Sequence, residues 1–263
     1  MTTSEPIRIS SASGPQLAGV LHHPRGSTSE TCVVVAHGML SSKNSDKHRL
    51  ICEAAAAAGS AALRFDFRGR GESDGNPSIL TVSNEIDDLA AAVAFVRDLG
   101  YSRVMVVGSS LGGTVAILTG ARGLDLVGLV TIAAPARLPD GPREAWGGSG
   151  QETADHRIEV APGEFIDAGF FIDAAHHDVV RAARSISCPW LIIHGAEDPV
   201  VPVGDATFLA ENAPDGGLVV HPTAGHRFDQ PEEREWLIER VAGFLGRIGE
   251  PDAPIAKGRG SHL

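Results

Sequence analysis

The 263 residues are 43% hydrophobic and 21% charged, which excludes a disordered or fibrous chain and supplies enough apolar material for one large α/β domain. Against 33 Asp and Glu stand 22 Lys and Arg, a formal net charge of −11; such a surface repels phosphate backbones and anionic headgroups, so no nucleic-acid or membrane partner is expected. Cys32, Cys52 and Cys188 are too scattered for a disulfide framework or a metal-ligand spacing. Residues 1–14 lack the apolar core of a secretory leader and no apolar run approaches ~20 residues, so the expected location is cytoplasmic.

Residues 7–10 and 16–23 read as an opening antiparallel pair around Ser13-Gly14-Pro15. TCVVVA at 31–36 is a continuous β-branched run, as expected of a strand buried on both faces. An Ala-rich helix is predicted over 47–58, stopped at Gly59, then a strand over 60–65. Ile86, Leu89, Val93 and Val96 recur at spacings of 3 and 4, predicting an amphipathic helix over 81–99 that ends at Gly100. A strand at 103–108, a helix at 111–121 and a strand at 126–133 continue the alternation. It breaks between 136 and 187, a stretch rich in Pro and Gly with weak periodicity. It resumes with a strand at 189–194, a helix at 203–213, a strand at 217–221 and a helix at 232–246. Repeated βα units imply an α/β fold with a mostly parallel central sheet and helices on both faces. Residues 1–135 and 188–248 are expected to form its core, 136–187 a small inserted cap or lid, and 249–263 a flexible tail.

Gly108-Ser109-Ser110-Leu111-Gly112 falls between a predicted strand and a predicted helix. At such a turn a Ser is held in a strained backbone conformation with its hydroxyl projecting, and the flanking glycines let the turn close. A Ser hydroxyl needs a base that is itself oriented by a carboxylate. After Ser110 come Asp198, in His194-Gly195-Ala196-Glu197-Asp198-Pro199, and His226, in Ala224-Gly225-His226-Arg227-Phe228. Both follow predicted strands, where α/β sheets place their sites. Glu197 competes with Asp198 for the orienting role. His194 is read as serving the strand end. The amides of Met39, after His37-Gly38, and of Leu111 are the candidate oxyanion donors. Phe165, Phe170 and Phe171, with Trp146, are candidates for an apolar substrate pocket or for packing the cap. Neither a dinucleotide fingerprint nor a phosphate loop occurs, and His176-His177-Asp178 lacks a third element at ligand spacing, so no cofactor and no metal are predicted.

These segments, together with Arg64-Phe65-Asp66-Phe67-Arg68-Gly69-Arg70-Gly71-Glu72-Ser73-Asp74-Gly75, resemble the α/β-hydrolase fold family. Lys43-Asn44-Ser45-Asp46-Lys47-His48 and Thr81-Val82-Ser83-Asn84-Glu85-Ile86 are similar to small cinnamoyl and feruloyl esterases and their serine-aminopeptidase-like relatives, from which the chain departs at Ser109 and Leu111. The resemblance implies a serine esterase acting on small-molecule esters with short-chain or hydroxycinnamoyl acyl groups. Peptidase or amidase, thioesterase and carbon–carbon hydrolase chemistry fit the same three residues, and a non-catalytic ligand-binding protein of this fold is the reading from another class. In the Asp66–Gly75 segment, Arg68 and Asp74 are expected to pair locally.

Overall fold

Along residues 31–36 every side chain is apolar or small, and in a strand successive side chains leave on opposite faces, so this segment has to be covered twice. The computed structural model describes residues 3–11, 14–26, 29–77, 80–139, 153, 156–161 and 163–249. In it β3 (Thr31–Ala36) is buried throughout and lies near the middle of an eight-stranded sheet. Before it come β1 (Ser4–Ser10) and β2 (Gln16–His22). After it come β4 (Ala61–Phe65), β5 (Arg103–Ser109), β6 (Gly128–Ile132), β9 (Trp190–Gly195) and β10 (Gly216–His221). The spatial order is β1-β2-β4-β3-β5-β6-β9-β10. β1 pairs antiparallel with β2 and β2 with β4; every other pairing is parallel.

The alternation sorts the core into two layers. Cys32, Val34 and Ala36 of β3 and Val104 and Val106 of β5 meet Ile86, Leu89 and Val93 of α2 (Val82–Asp98) and Val115 of α3 (Leu111–Gly120). Val33, Val35, Met105 and Val107 face the other way. They meet Ile51, Cys52 and Ala55 of α1 (Asp46–Ala57) and Leu237, Val241 and Phe244 of α7 (Pro231–Gly249). Helix starts follow local chemistry: Ser45 caps α1 by accepting from the His48 amide, and Thr81 caps α2 by accepting from the Asn84 amide at 3.1 Å. α6 (Val203–Asn212) joins β9 to β10.

Between β6 and β9 lie four elements that periodicity alone did not reveal. They are β7 (Arg157–Ala161), β8 (Glu164–Asp167), α4 (Gly169–Ala174) and α5 (Val179–Ala183). β7 and β8 form a separate antiparallel hairpin. Its signal is present in hindsight: Pro162-Gly163 separates Ile158 and Val160, two residues apart, from Phe165-Ile166. Residues 140–152 and 250–263, including Trp146 and nearly all of the expected tail, lie outside the described residues. Among the described residues no helix is long and apolar enough to cross a membrane.

Candidate active site

Ser110 sits between the end of β5 and the start of α3 with φ 54° and ψ −127°. For a residue with a Cβ this backbone costs about 1–3 kcal/mol and persists only where its surroundings enforce it. The enforcement is visible. The Ser110 amide donates to the Ile132 carbonyl at 2.8 Å, and the Ser110 carbonyl accepts from Gly113 and Thr114 at 2.8 and 3.2 Å. At Gly112 a Cβ would stand 2.3 Å from the His37 carbonyl oxygen, and at Gly38 one would stand 2.9 Å from Ser110 Cβ. The turn after β3 and the turn after β5 therefore touch backbone to backbone, and only glycine permits it.

Asp198 and His226 arrive from the ends of β9 and β10. His226 Nε2 lies 3.0 Å from Ser110 Oγ and His226 Nδ1 lies 2.7 Å from Asp198 Oδ2. It is Asp198 rather than Glu197 whose carboxylate meets His226; Glu197 is exposed on the cavity wall. The amides of Val200 and Val201 donate to Asp198 Oδ1 at 2.8 and 2.9 Å, so the loop that delivers the carboxylate also grips it. Burial by itself raises the Asp198 carboxyl, but hydrogen bonds from His194, His226 and the Val201 amide outweigh it and hold the group well below the usual carboxylate range.

His194 does more than close a strand. It is fully buried, with Nε2 2.9 Å from the Val201 carbonyl oxygen and 3.3 Å from Asp198 Oδ2, so it braces the loop and carboxylate together. Its position four residues before Asp198 was the available signal.

Met39 and Leu111 bring two backbone amides to this end of the sheet, and among the described residues neither amide has a protein acceptor. The turn that carries Met39 is fixed by His37. Its Nδ1–H donates to the Gly38 carbonyl at 2.8 Å, and its Nε2 accepts from the Phe67 amide at 3.1 Å. Burial pulls this imidazole down to about 4, so it is neutral and its two nitrogens keep distinct roles. Below it, buried Asp66 accepts from the Lys43 amide at 2.7 Å, from Lys43 Nζ at 2.5 Å and from the Glu72 amide at 2.9 Å, which ties Lys43 to the segment after β4. Arg68 pairs with Asp88 of α2 at 2.5 Å and not with Asp74, as local sequence suggested; its side chain reaches across to the helix, and the Asp74 carbonyl instead accepts from the Gly69 amide.

A cavity of about 760 Å³ opens over Ser110 and His226, also bordered by Met39, Leu111, Lys47 and Val160. None of Phe165, Phe170 and Phe171 is on its wall. Phe170 and Phe171 are buried in the core, ring against ring at 5.3 Å, and Phe165 lies under the Arg157 guanidinium. His177, which had no context in sequence, lies 3.0 Å from Ser83 Oγ. Ser83 in turn donates to Asp173 at 2.6 Å, pinning α4 to the start of α2. Among the described residues no group of three or more His, Cys, Asp or Glu side chains is arranged to hold a metal ion.

The fold is shared with solved enzymes. Est1E from Butyrivibrio proteoclasticus, seen with ferulic acid bound, superposes with a TM-score of 0.83 at 22% identity over 93% of this chain and 100% of that one. The chain has the α/β-hydrolase fold. The Pyrococcus furiosus esterase Pf2001 matches with a TM-score of 0.74 at 26% identity, covering 95% of this chain and 94% of the other. The family model for serine aminopeptidase, S33, matches residues 27–149. Among curated proteins, the mouse (Mus musculus) mitochondrial palmitoyl-protein thioesterase ABHD10 is 27% identical over 227 residues, 82% of this chain and 75% of the relative.

Proposed function

We propose that this chain is a serine esterase that hydrolyses small carboxylic esters, with short-chain acyl or aryl acyl groups, through an ester on Ser110. The observation that carries the reading is the unbroken hydrogen-bonded chain from Ser110 Oγ through His226 to Asp198, beside two backbone amides without protein acceptors.

Asp198, held ionised, accepts from His226 Nδ1–H and so leaves the lone pair on Nε2 facing the Ser110 hydroxyl. As Ser110 Oγ attacks the ester carbonyl, its proton passes to Nε2 and negative charge gathers on the carbonyl oxygen. The Met39 and Leu111 amides donate to that oxygen, and the start of α3 adds the positive end of its dipole. Collapse breaks the bond to the alcohol, which takes the proton from Nε2. Water then attacks the acyl group with His226 accepting its proton, releasing the acid and restoring Ser110. No step requires a group other than substrate and water.

Thioester hydrolysis is the second reading. It is favoured by the thioesterase named above, which aligns over 82% of the chain, and it uses the same steps with a thiol leaving. Initial rates on p-nitrophenyl acetate, butyrate, octanoate and palmitate, on methyl ferulate and on a palmitoyl thioester test both. Turnover of oxygen esters that falls by roughly 10⁴–10⁶ in Ser110→Ala supports the esterase. Ser110-dependent turnover of the thioester alone selects the second reading, and turnover unaffected by Ser110→Ala overturns both.

A further inference from the structure

The cavity over Ser110 holds a positive charge that ester hydrolysis does not use. Lys47, the second residue of α1, borders the same cavity as Ser110 and His226 and is partly buried there. Among the described residues no carboxylate stands within 4.0 Å of its ammonium and no hydrogen bond reaches it. Nearby cations are engaged: Lys43 with Asp66 and Glu72, Arg49 with Asp46 and Glu53, and Arg234 with Asp46. Lys47 also occupies the first turn of a helix, where the dipole opposes a cation. An ammonium withdrawn from water at the wrong end of a helix, without a partner, is costly to keep. Burial pulls Lys47 down to about 8, which leaves it charged at neutral pH.

Three charges act on Lys47 most strongly. They are Asp229, Asp198 and Arg227. Asp198 is already occupied by His226, His194 and the Val200 and Val201 amides. Arg227 and Asp229 belong to the exposed loop that carries His226. Lys47 shares the cavity wall with His226, Arg227 and Asp229. On the esterase reading His226 returns its proton to the departing oxygen, so the wall around His226 receives the leaving group. The cavity wall carries the carboxylates of Asp46, Glu197, Asp229 and Glu233 against the cations Lys47, Arg227 and Arg234, a nearly even balance that disfavours a dianion more than a monoanion.

Resting on the esterase reading, we propose that Lys47 binds a carboxylate on the leaving half of the ester, so that the preferred substrates are esters of carboxylate-bearing alcohols or phenols. Arg227, at the cavity rim, adds to the attraction.

The test pairs 4-acetoxybenzoate with its neutral methyl ester, in wild type, Lys47→Gln, Lys47→Arg and Ser110→Ala. The intrinsic reactivities of the two esters differ, but that difference cancels when the ratio of their kcat/KM values is compared between proteins. The ratio is expected to fall roughly tenfold in Lys47→Gln, mostly through KM, and to be largely retained in Lys47→Arg. In wild type alone, 4-hydroxybenzoate is expected to inhibit roughly tenfold more tightly than its methyl ester, which keeps the idea testable if Lys47→Gln does not fold. Ser110-dependent hydrolysis of both esters with an unchanged ratio in Lys47→Gln, or equal inhibition by the two phenols, overturns the Lys47 assignment and leaves the esterase reading intact. A Lys47-dependent preference found only when the carboxylate sits on the acyl half, as in mono-p-nitrophenyl adipate against its methyl ester, overturns the leaving-group placement. Turnover indifferent to Ser110→Ala overturns the underlying reading.

Discussion

Two regions of this chain are joined to the sheet in different ways. Around Ser110 backbone presses on backbone: Gly38 under Ser110, Gly112 against the His37 carbonyl, and the Ser110 amide on Ile132. Between β6 and β9 the joining is done by side chains, with Ile158, Val160, Ile166, Phe170 and Phe171 sunk into the core and Ser83, Asp173 and His177 making one polar pin. Backbone contact tolerates almost no substitution and fixes atoms closely; side-chain packing accepts many residues of similar volume. The first way of building suits chemistry that depends on ångström placement.

Three substitutions probe that contrast. Asp198→Asn leaves the loop in place but reverses the preferred imidazole tautomer, and kcat is expected to fall roughly 10⁴-fold with little change in melting temperature. A large fall in thermal stability at modest loss of rate would mean that the carboxylate is mainly a brace for residues 198–201. Phe170→Ala, in the side-chain-packed region, is expected to do the reverse. It removes a fully buried ring, costing about 3–5 kcal/mol in urea unfolding while the relative rates on acetate, butyrate and octanoate esters stay the same. A changed chain-length preference would give Phe170 a role in choosing substrate. The smallest effect belongs to Glu85, buried on α2, whose carboxyl is pushed up from 4.5 to about 8 by burial and by Asp88, against the pull of Arg70 and Arg68. Its folded value exceeds its unfolded one, so the stability it contributes is complete below about 4.5 and is lost as pH rises through about 8. Glu85→Gln should remove that loss, narrowing the fall in unfolding free energy between pH 5.5 and 8 by roughly 3 kcal/mol at most. Parallel pH profiles for the two proteins would show that Glu85 is ionised in the fold.

The same contrast explains what could be read from the chain. β3, β5 and α2 follow from runs and periods because each buries its faces in a regular pattern. The HGML, GSSLGG, HGAEDPVVP and AGHRF segments are legible because close backbone approach demands glycine and proton transfer demands particular side chains. Sequence favours Asp198 over its neighbour Glu197, and it is the Asp198 carboxylate that meets His226, gripped by the amides of Val200 and Val201. The hairpin of β7 and β8 was missed because only short alternating stretches flank its turn, and its stability comes from the core beneath. Arg68 and Asp74 are close in sequence and available to pair, whereas the Arg68 side chain reaches Asp88 of α2, a distance that no local rule encodes. Lys47 resembled any helix-surface lysine until the cavity beside it was visible.

The three residues of the hydrogen-bonded chain follow β5, β9 and β10, and among the described residues β10 is an edge strand, paired with β9 alone and only partly buried. Sheet edges open more readily than sheet centres, with less surface to expose and fewer bonds to break. A brief fraying of β10 would carry His226 away while Ser110, on the buried β5, kept its strained turn. On the proposed mechanism the nucleophile follows a strand paired on both sides and its base follows one paired on a single side, so activity would report on the sheet edge before the whole fold opens.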